Sequence, residues 1–419
     1  MEQADSEVRR RIDWLVLAPV VLFTLAALAG VFFAGLSTYD FVRHLDRQLH
    51  GVHCSFIPGL GALDASGASG CSQALMSPWS AVLRSVTWGG LPVALPGLAL
   101  FSFLVFRGID LAIRRRECSP GSWSFLAVAA AFPVLASVVM GVIAVVNIGT
   151  LCKLCVGIYA SSIVAFGAAL WGWYQAHARR GLAADPFGPG PGPWIVAGAE
   201  GATFLLVPLV LYLLLAPDAS ALVGACGRLL KPDDPSGVLI ALDDNETGTP
   251  VIEVLDPLCP ACRAFERRYQ ATGRAETLQR RALLFPLDST CNWMVSEDVH
   301  PGACAVSEAV VCAGERGREV LAWAYQEQDA LRAAAEQDPS RPGAMAAERF
   351  PDLASCIGTS SVRARINRGL RWAVANQLPV LMPQVFVDGQ KVCDEDTDLG
   401  LDFALARLLD PVVPPTSNP

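Results

Sequence analysis

The sequence predicts a membrane protein of five helical spans followed by an extracytoplasmic soluble α/β domain, and three observations carry that expectation. Of the 419 residues 53% are hydrophobic, and the mean hydropathy of +0.40 is high for a wholly soluble chain. Five windows with little or no charge each approach the ~20 residues that a helical crossing needs. Arginine clusters, finally, alternate between successive connections of those windows.

The windows run from Trp14 to Leu36, Trp88 to Phe106, Trp123 to about Val146, Cys152 to Trp173 and Trp194 to Leu215. Buried helices of a large soluble core are the competing explanation, but uncharged windows of this length read as spans first. A cleaved signal peptide fits the first window poorly, because its apolar run exceeds the usual ~7–15 residues and no Ala-x-Ala site follows. Arg9, Arg10 and Arg11 precede the first window, Arg107 and Arg114, Arg115 and Arg116 separate the second from the third, and Arg179 with Arg180 follows the fourth. If basic connections stay in the cytoplasm, the N-terminus is inside. Cys54, Cys71, the Cys152 end of the fourth window and everything after Leu215 are then outside. The expected location is the plasma (inner) membrane, multi-pass, with the C-terminal domain extracytoplasmic or periplasmic.

The expected organisation is a membrane domain over 10–175, a cytoplasmic Pro/Gly linker over 176–193, a fifth transmembrane helix over 194–215, a linker over 216–235, a soluble domain over 236–411 and a tail over 412–419. The stretch AADPFGPGPGPW, Ala183 to Trp194, cannot hold a helix. The net charge of -8 rests largely on the C-terminal region and argues for solubility there. No basic stripe with interleaved aromatics lies outside the cytoplasmic loops, so the lipid bilayer, and no nucleic acid, is the expected partner.

In the soluble region Val251 to Leu255 reads as a strand and Cys262 to Arg274 as a helix, which puts Cys259-Pro260-Ala261-Cys262 at a strand-to-helix turn. The partial positive charge and free N–H groups of a helix N-terminus stabilise a thiolate on Cys259, and Pro260 occupies an early position that tolerates a missing N–H. Ala282 to Leu287 reads as another strand, about Ala303 to Ala375 as mostly helical, and Gln384 to Asp388 as a strand closed by the turn Asp388-Gly389.

Of 13 cysteines only Cys118 falls on the cytoplasmic side. The remainder sit where disulfides persist. A CxxC pair passes two electrons per cycle by thiolate attack, and Cys152-Lys153-Leu154-Cys155, at the head of a span, touches both lipid and water, within reach of a lipid-dissolved quinone. A structural staple there would close too short a loop to stabilise much. Zinc needs four ligands, and of the five histidines only His53 neighbours one of these cysteines, so no metal is expected. Lys153 reads as a lysine snorkelling to the interface. Cys226, Cys291, Cys304, Cys312, Cys356 and Cys393 allow fifteen pairings. The first choice is Cys291 with Cys304 across a short segment, Cys312 with Cys356 between helices, and Cys226 with Cys393, all structural. On their own Ser77, Trp79 and Tyr159 are an ordinary interface serine and interface aromatics, and Glu200, near the cytoplasmic end of the fifth window, faces water.

Two ensembles of motifs resemble known families. Cys71-x5-Ser77-x-Trp79, then Gly90-x-Pro92 with Gly97, then Cys152-x-x-Cys155-x3-Tyr159 is similar to the vitamin K epoxide reductase family over roughly residues 10–175. That resemblance implies a four-helix bundle around a quinone (ubiquinone or menaquinone), with Cys155 nearest the quinone ring, Cys152 exchanging with a shuttle pair Cys54 and Cys71, and Ser77, Trp79 and Tyr159 at the quinone pocket. The interval Ser55 to Gly70 between the shuttle cysteines is longer and richer in glycine than the family usually shows. Asp256-Pro257-Leu258-Cys259-Pro260-Ala261-Cys262, with Met382-Pro383-Gln384-Val385-Phe386-Val387-Asp388-Gly389 far downstream, resembles the thioredoxin fold, in its DsbA-like branch with a helical insertion, over roughly residues 236–411. It implies Pro383 as the cis-proline beside the CxxC. Met382 stands where Thr or Val is usual, and Ala261 where strongly oxidising relatives often carry His.

Together these imply a quinone-linked thiol oxidoreductase, a protein dithiol:quinone oxidoreductase that makes disulfides in reduced exported proteins. Electrons would pass from Cys259 and Cys262 to Cys54 and Cys71, then to Cys152 and Cys155, then to quinone. The alternatives are an electron conduit or disulfide isomerase/reductase running outward, a vitamin K epoxide or quinone reductase, and a membrane-anchored binding module.

Overall fold

The computed structural model describes residues 2–45, 52–56, 69–113, 119–178, 191–245, 247–274 and 277–409. Cys118, the arginines at 114–116 and 179–180, most of the expected linker and the tail lie outside them. The chain divides into two compact units, Met1–Leu83 with Gly90–Asp218, and Arg84–Gly89 with Ala219–Pro419.

The first unit is helical: α1 (Glu2–Leu45), a short α2 (Gly70–Leu75), α3 (Ala94–Ile113), α4 (Pro120–Ile143), α5 (Lys153–Ala178) and α6 (Gly192–Leu215). Among the described residues five helices are long and apolar enough to cross a membrane. The first apolar segment extends to Leu45, nine residues past the expected end by the numbering. The second helix excludes Trp88. Gly89 and Gly90 take positive φ, and Leu91–Pro92 (β2) pairs with Ala81–Val82 (β1), so the chain cannot enter a helix until Ala94. Ser119 caps α4 by accepting from Ser122 N at 3.1 Å. α4 continues as a π-helical turn, Ala144–Ile148, stopped at left-handed Gly149.

α1 packs on α3 and α5, α4 on α5, and α6 on α3. Phe23, Phe101, Leu104, Trp123, Leu126, Ala130, Ala165 and Ala169 are buried at its core. Lipid removes the hydrophobic drive between helices, so close backbone approach has to supply the packing. A Cβ on Gly30 would fall 2.4 Å from the Phe101 ring, and one on Gly172 2.4 Å from the Trp123 indole. Glu200, expected to face water, is 40% exposed and pairs with Arg107 of α3 at 3.3 Å.

The second unit is built on a five-stranded mixed sheet, β3 (Ile240–Ala241), β4 (Thr249–Leu255), β5 (Leu278–Leu284), β6 (Gln384–Val387) and β7 (Gln390–Val392), in the order β3-β5-β4-β6-β7. β4 and β5 are parallel and are joined through α7 (Pro260–Ala271); the other pairings are antiparallel. A strand buried on both faces reads as a continuous apolar run, and Val251, Ile252, Val254 and Leu255 of the central β4 are all buried. β5 ends earlier than expected. Phe285 N makes one more bond to Leu255 O, and the following Pro286 has no N–H to continue the ladder. β6 and β7 meet at Asp388 and Gly389, both at positive φ, the geometry of a two-residue hairpin turn. Five helices intervene between β5 and β6: α8 (Ala303–Cys312), α9 (Gly317–Gln326), α10 (Gln328–Gln337), α11 (Arg341–Arg349) and α12 (Ser360–Ala375). A final helix, α13, covers Leu401–Leu409. This mixed sheet with helices is compatible with the expected thioredoxin-like domain.

Arg228 bridges to Gln390 alongside β7, and Leu229 N and Lys391 N extend that pairing to Gly389 O and Gly227 O. A disulfide joins Cys226 to Cys393 there. Inside the sheet Glu253 is fully buried, and Arg280 donates to it from Nε at 2.6 Å and from Nη2 at 3.1 Å. Arg280 also pairs with Glu266 of α7 and lies 3.9 Å from the centre of the Tyr269 ring. One guanidinium between two carboxylates leaves an excess negative charge, and burial pushes the Glu253 carboxyl up.

Removing one partner of a buried pair strands the other charge. Arg280→Met is therefore expected to destabilise the second unit by about 3–5 kcal/mol, read as accelerated amide exchange of β4 and β5 in the full chain under urea. The double variant Glu253→Met with Arg280→Met should recover most of that loss.

Candidate active site

Cys152 lies immediately before α5, with Cys155 in the first turn. Cys152 is buried and Cys155 is half-buried. The first four N–H groups of a helix have no partner within it. Here Cys155 N donates to Cys152 Sγ at 3.3 Å, and Val156 N reaches Cys152 O at 3.0 Å. The sulfur thus serves as the helix cap. Tyr159 follows Cys155 by one turn on the same side of α5, and a Cβ on Gly141 of α4 would come 3.7 Å from its ring.

A disulfide joins Cys54 to Cys71, and Cys71 is buried within α2. α2 packs against α5 and the π-helical turn that precedes it. A Cβ on Gly70 would lie 2.6 Å from Leu151 O, so glycine is what lets the Cys71 helix approach the backbone next to Cys152. On the other side Asp40 of α1, 4% exposed, accepts from His53 N at 2.9 Å and meets His53 Nδ1 at 2.6 Å. That contact fixes the residue beside Cys54. Residues 57–68 of the intervening loop lie outside the described residues. Ser77 Oγ donates to Ala74 O at 2.8 Å, the local backbone partner that an interface serine needs. Trp79 is 44% exposed.

The second dithiol lies at the C-terminal end of β4. Cys259 is the N-cap of α7 with Pro260 at its first position, so the helix begins two residues earlier than expected. Arg263 N bonds to Cys259 O at 3.1 Å. Cys259 and Cys262 are both buried free thiols, sharing a core cluster with Met382. The Met382–Pro383 peptide is cis. The Cys259 thiol is held below its ordinary value, chiefly because it accepts a hydrogen bond from Cys262, with a smaller contribution from His300, against the opposing effect of burial. Burial pushes Cys262 well above its ordinary value. Of the two sulfurs, Cys259 is the one held towards the thiolate and Cys262 the one held towards the thiol.

Three side chains that sequence reasoning did not select as site residues shape this turn. Asp256, fully buried, accepts from Leu258 N through Oδ1 at 2.7 Å and from Leu287 N through Oδ2 at 2.7 Å. His300 Nδ1 lies 2.8 Å from the same Oδ2. Gln328, at the start of α10 and fully buried, donates to Pro257 O at 3.1 Å and to Cys259 O at 3.0 Å. Leu258 is buried among Ala303, Val306, Ala324 and Leu331 of the helical insertion. Only Asp256 carried a sequence signal, as part of the motif around the CPAC; His300 and Gln328 reach the turn from 41 and 69 residues downstream of Cys259 by the numbering and have no local pattern.

The insertion is itself cross-linked, Cys291 to Cys304 and Cys312 to Cys356. Among the described residues no group of three or more His, Cys, Asp or Glu side chains is placed to hold a metal ion.

Residues 21–170 match the model of the vitamin K epoxide reductase family. The five apolar helices fit a membrane domain of that family, and the match suggests a membrane thiol oxidoreductase that works with quinone. No curated protein and no solved structure matches the chain.

Gly70→Val should push α2 away from Leu151. Exchange between the Cys54–Cys71 disulfide and Cys152 is expected to slow by about tenfold to a hundredfold, measured by timed alkylation and mass mapping of Cys152. An unchanged rate would mean that the approach of α2 to α5 does not set the exchange geometry.

Proposed function

We propose that the chain is a quinone-linked thiol oxidoreductase that generates disulfides in exported proteins. Electrons enter from a client dithiol at Cys259 and Cys262, pass to Cys54 and Cys71, then to Cys152 and Cys155, and leave on quinone. The observation that carries this reading is the junction at Gly70 and Leu151, which brings the helix of a disulfide-bonded cysteine against the backbone next to a free CxxC capping a membrane helix.

Each transfer between cysteine pairs is a thiolate attack on a disulfide with a mixed-disulfide intermediate. At the last step a quinone supplies the sink for two electrons and two protons. The fit of Cys155 to that role rests on its half-buried position, on Tyr159 one turn away, and on the exposed apolar surface of Val142, Val145 and Val146 on α4 and its π-helical turn, which suits a lipid-soluble molecule. Ser77 and Trp79 remain candidates for the pocket by resemblance.

The soluble unit is read as a DsbA-like thioredoxin domain, with Pro383 beside the CxxC. Support comes from the sheet order, from the parallel β4–α7–β5 unit and from Cys259 at the helix N-terminus. The arginine distribution supports reading this unit and the loop cysteines as extracytoplasmic, with the plasma membrane as the membrane in this reading. Cys226–Cys393, Cys291–Cys304 and Cys312–Cys356 are structural staples in this reading.

Cys155→Ala is expected to abolish quinone reduction by membranes given a reduced unfolded protein, while exchange between Cys259 and the loop pair continues; quinone reduction at the wild-type rate would refute the order of the relay. Cys259→Ser should abolish client oxidation. The direction of flow is read from the resting state of Cys259 and Cys262 in cells, trapped by alkylation. A disulfide is expected for an oxidase, and a dithiol would favour the outward-running reductase or isomerase.

A further inference from the structure

Pro260 and Ala261, the residues between the two sulfurs of the soluble pair, carry no titratable group. Any charge that acts on Cys259 comes from elsewhere in the unit, from Asp256 and His300. His300 belongs to the segment between β5 and α8, which is closed by Cys291–Cys304 and held further by Asn292 Nδ2 to Pro286 O at 2.7 Å and by Cys304 N to Asp288 Oδ2 at 3.1 Å. His300 N bonds to Leu287 O at 2.9 Å. Its ring, 7% exposed, is fixed by the 2.8 Å contact of Nδ1 with Asp256 Oδ2. The same carboxylate, through Oδ1, takes the Leu258 N–H one residue before Cys259.

We propose that His300, oriented by Asp256, is a positioning residue for thiol exchange whose imidazolium stabilises the Cys259 thiolate. The inference rests on the reading that clients exchange at Cys259. A client thiolate attacks Cys259 Sγ, forming the client–Cys259 bond and breaking the Cys259–Cys262 bond, whose electron pair leaves on Cys262 and takes up a proton there. The second client thiolate then attacks the client sulfur, forming the client disulfide and breaking the client–Cys259 bond. That electron pair departs on Cys259. The client is oxidised by two electrons and the CPAC pair is reduced, and His300 stabilises the thiolate that leaves.

The charged and titratable groups around His300 are Asp256 at the end of β4, Cys259 in the turn before α7, and Arg332 of α10. Burial and Arg332 work against the imidazolium, and the hydrogen bond and charge of Asp256 outweigh them, so His300 is held above its ordinary value. Its charge therefore persists to higher pH than that of an ordinary imidazole and is lost as pH rises through that raised value. Among the groups acting on Cys259, Asp256 disfavours the thiolate, and His300 and the hydrogen bonds from Cys262 favour it.

The test is the pH profile of iodoacetamide alkylation of Cys259 in the reduced full chain, read by mass mapping of its peptide. His300→Gln keeps a donor for Asp256 and removes the charge. Its half-point is expected to rise by about one pH unit, with the thiolate fraction below that point falling about tenfold, while thermal unfolding changes little. Oxidising strength against glutathione should fall about tenfold, ~30 mV for a two-electron couple. His300→Lys, which retains a positive charge, should restore most of the acidity. A His300→Gln half-point equal to wild type overturns the proposal. If that variant does not fold, the unaltered chain decides: its Cys259 profile must carry a second inflection at the pH where His300 becomes reactive to diethylpyrocarbonate, and a single inflection overturns it. None of these measurements needs quinone or a client. Failure of the disulfide-forming reading would therefore leave the Cys259 acidity shift in place.

Discussion

A helix that begins at a membrane surface has unpaired N–H groups and little water to satisfy them. In this protein a sulfur takes one of them: Cys152 accepts from Cys155 N at the start of α5. The cap is one sulfur of the CxxC pair, the pair proposed to carry electrons. Because the cap sits at the helix end, Cys155 falls within the first turn of α5 and Cys152 remains at the helix boundary. The approach of α2 through Gly70 and the anchoring of His53 on Asp40 are arranged around that boundary.

The soluble pair uses the same helix-end position with different support. Cys259 caps α7 without a side-chain hydrogen bond to the helix, and its turn is held from outside by Asp256, Gln328 and the buried Leu258. Asp256 and Gln328 grip the backbone and Leu258 plugs into the insertion, so the turn is fixed independently of the sulfurs. The helical insertion thus contributes directly to the CPAC, and its two cross-links brace the elements that deliver Gln328 and His300.

Local features of the site were readable from the chain. The CxxC spacings, the β-branched apolar run of β4 and the Asp388-Gly389 turn each depend on neighbouring residues, and the long uncharged windows depend on composition alone. The limits of the helices were less legible, because a window from Trp88 looks apolar whether or not Gly89 and Gly90 turn the backbone away from helix. The support of the site was least legible. His300, Gln328 and Asp40 act through contacts with residues well removed in sequence, and neither periodicity nor spacing encodes such a partner. Glu200 is a similar case: its pairing with Arg107 could not be read from its position in the window.

The strip of chain from Cys226 to Leu229 has a consequence for how this unit can meet other polypeptides. It lies along β7 through the Arg228–Gln390 bridge and is tied there covalently by Cys226–Cys393. An open strand at a sheet border is a template for any extended chain, and the proposed clients are unfolded and rich in extended segments. With the β7 border occupied by the protein's own backbone, that side of the sheet presents no free strand on which such a chain could zip and accumulate.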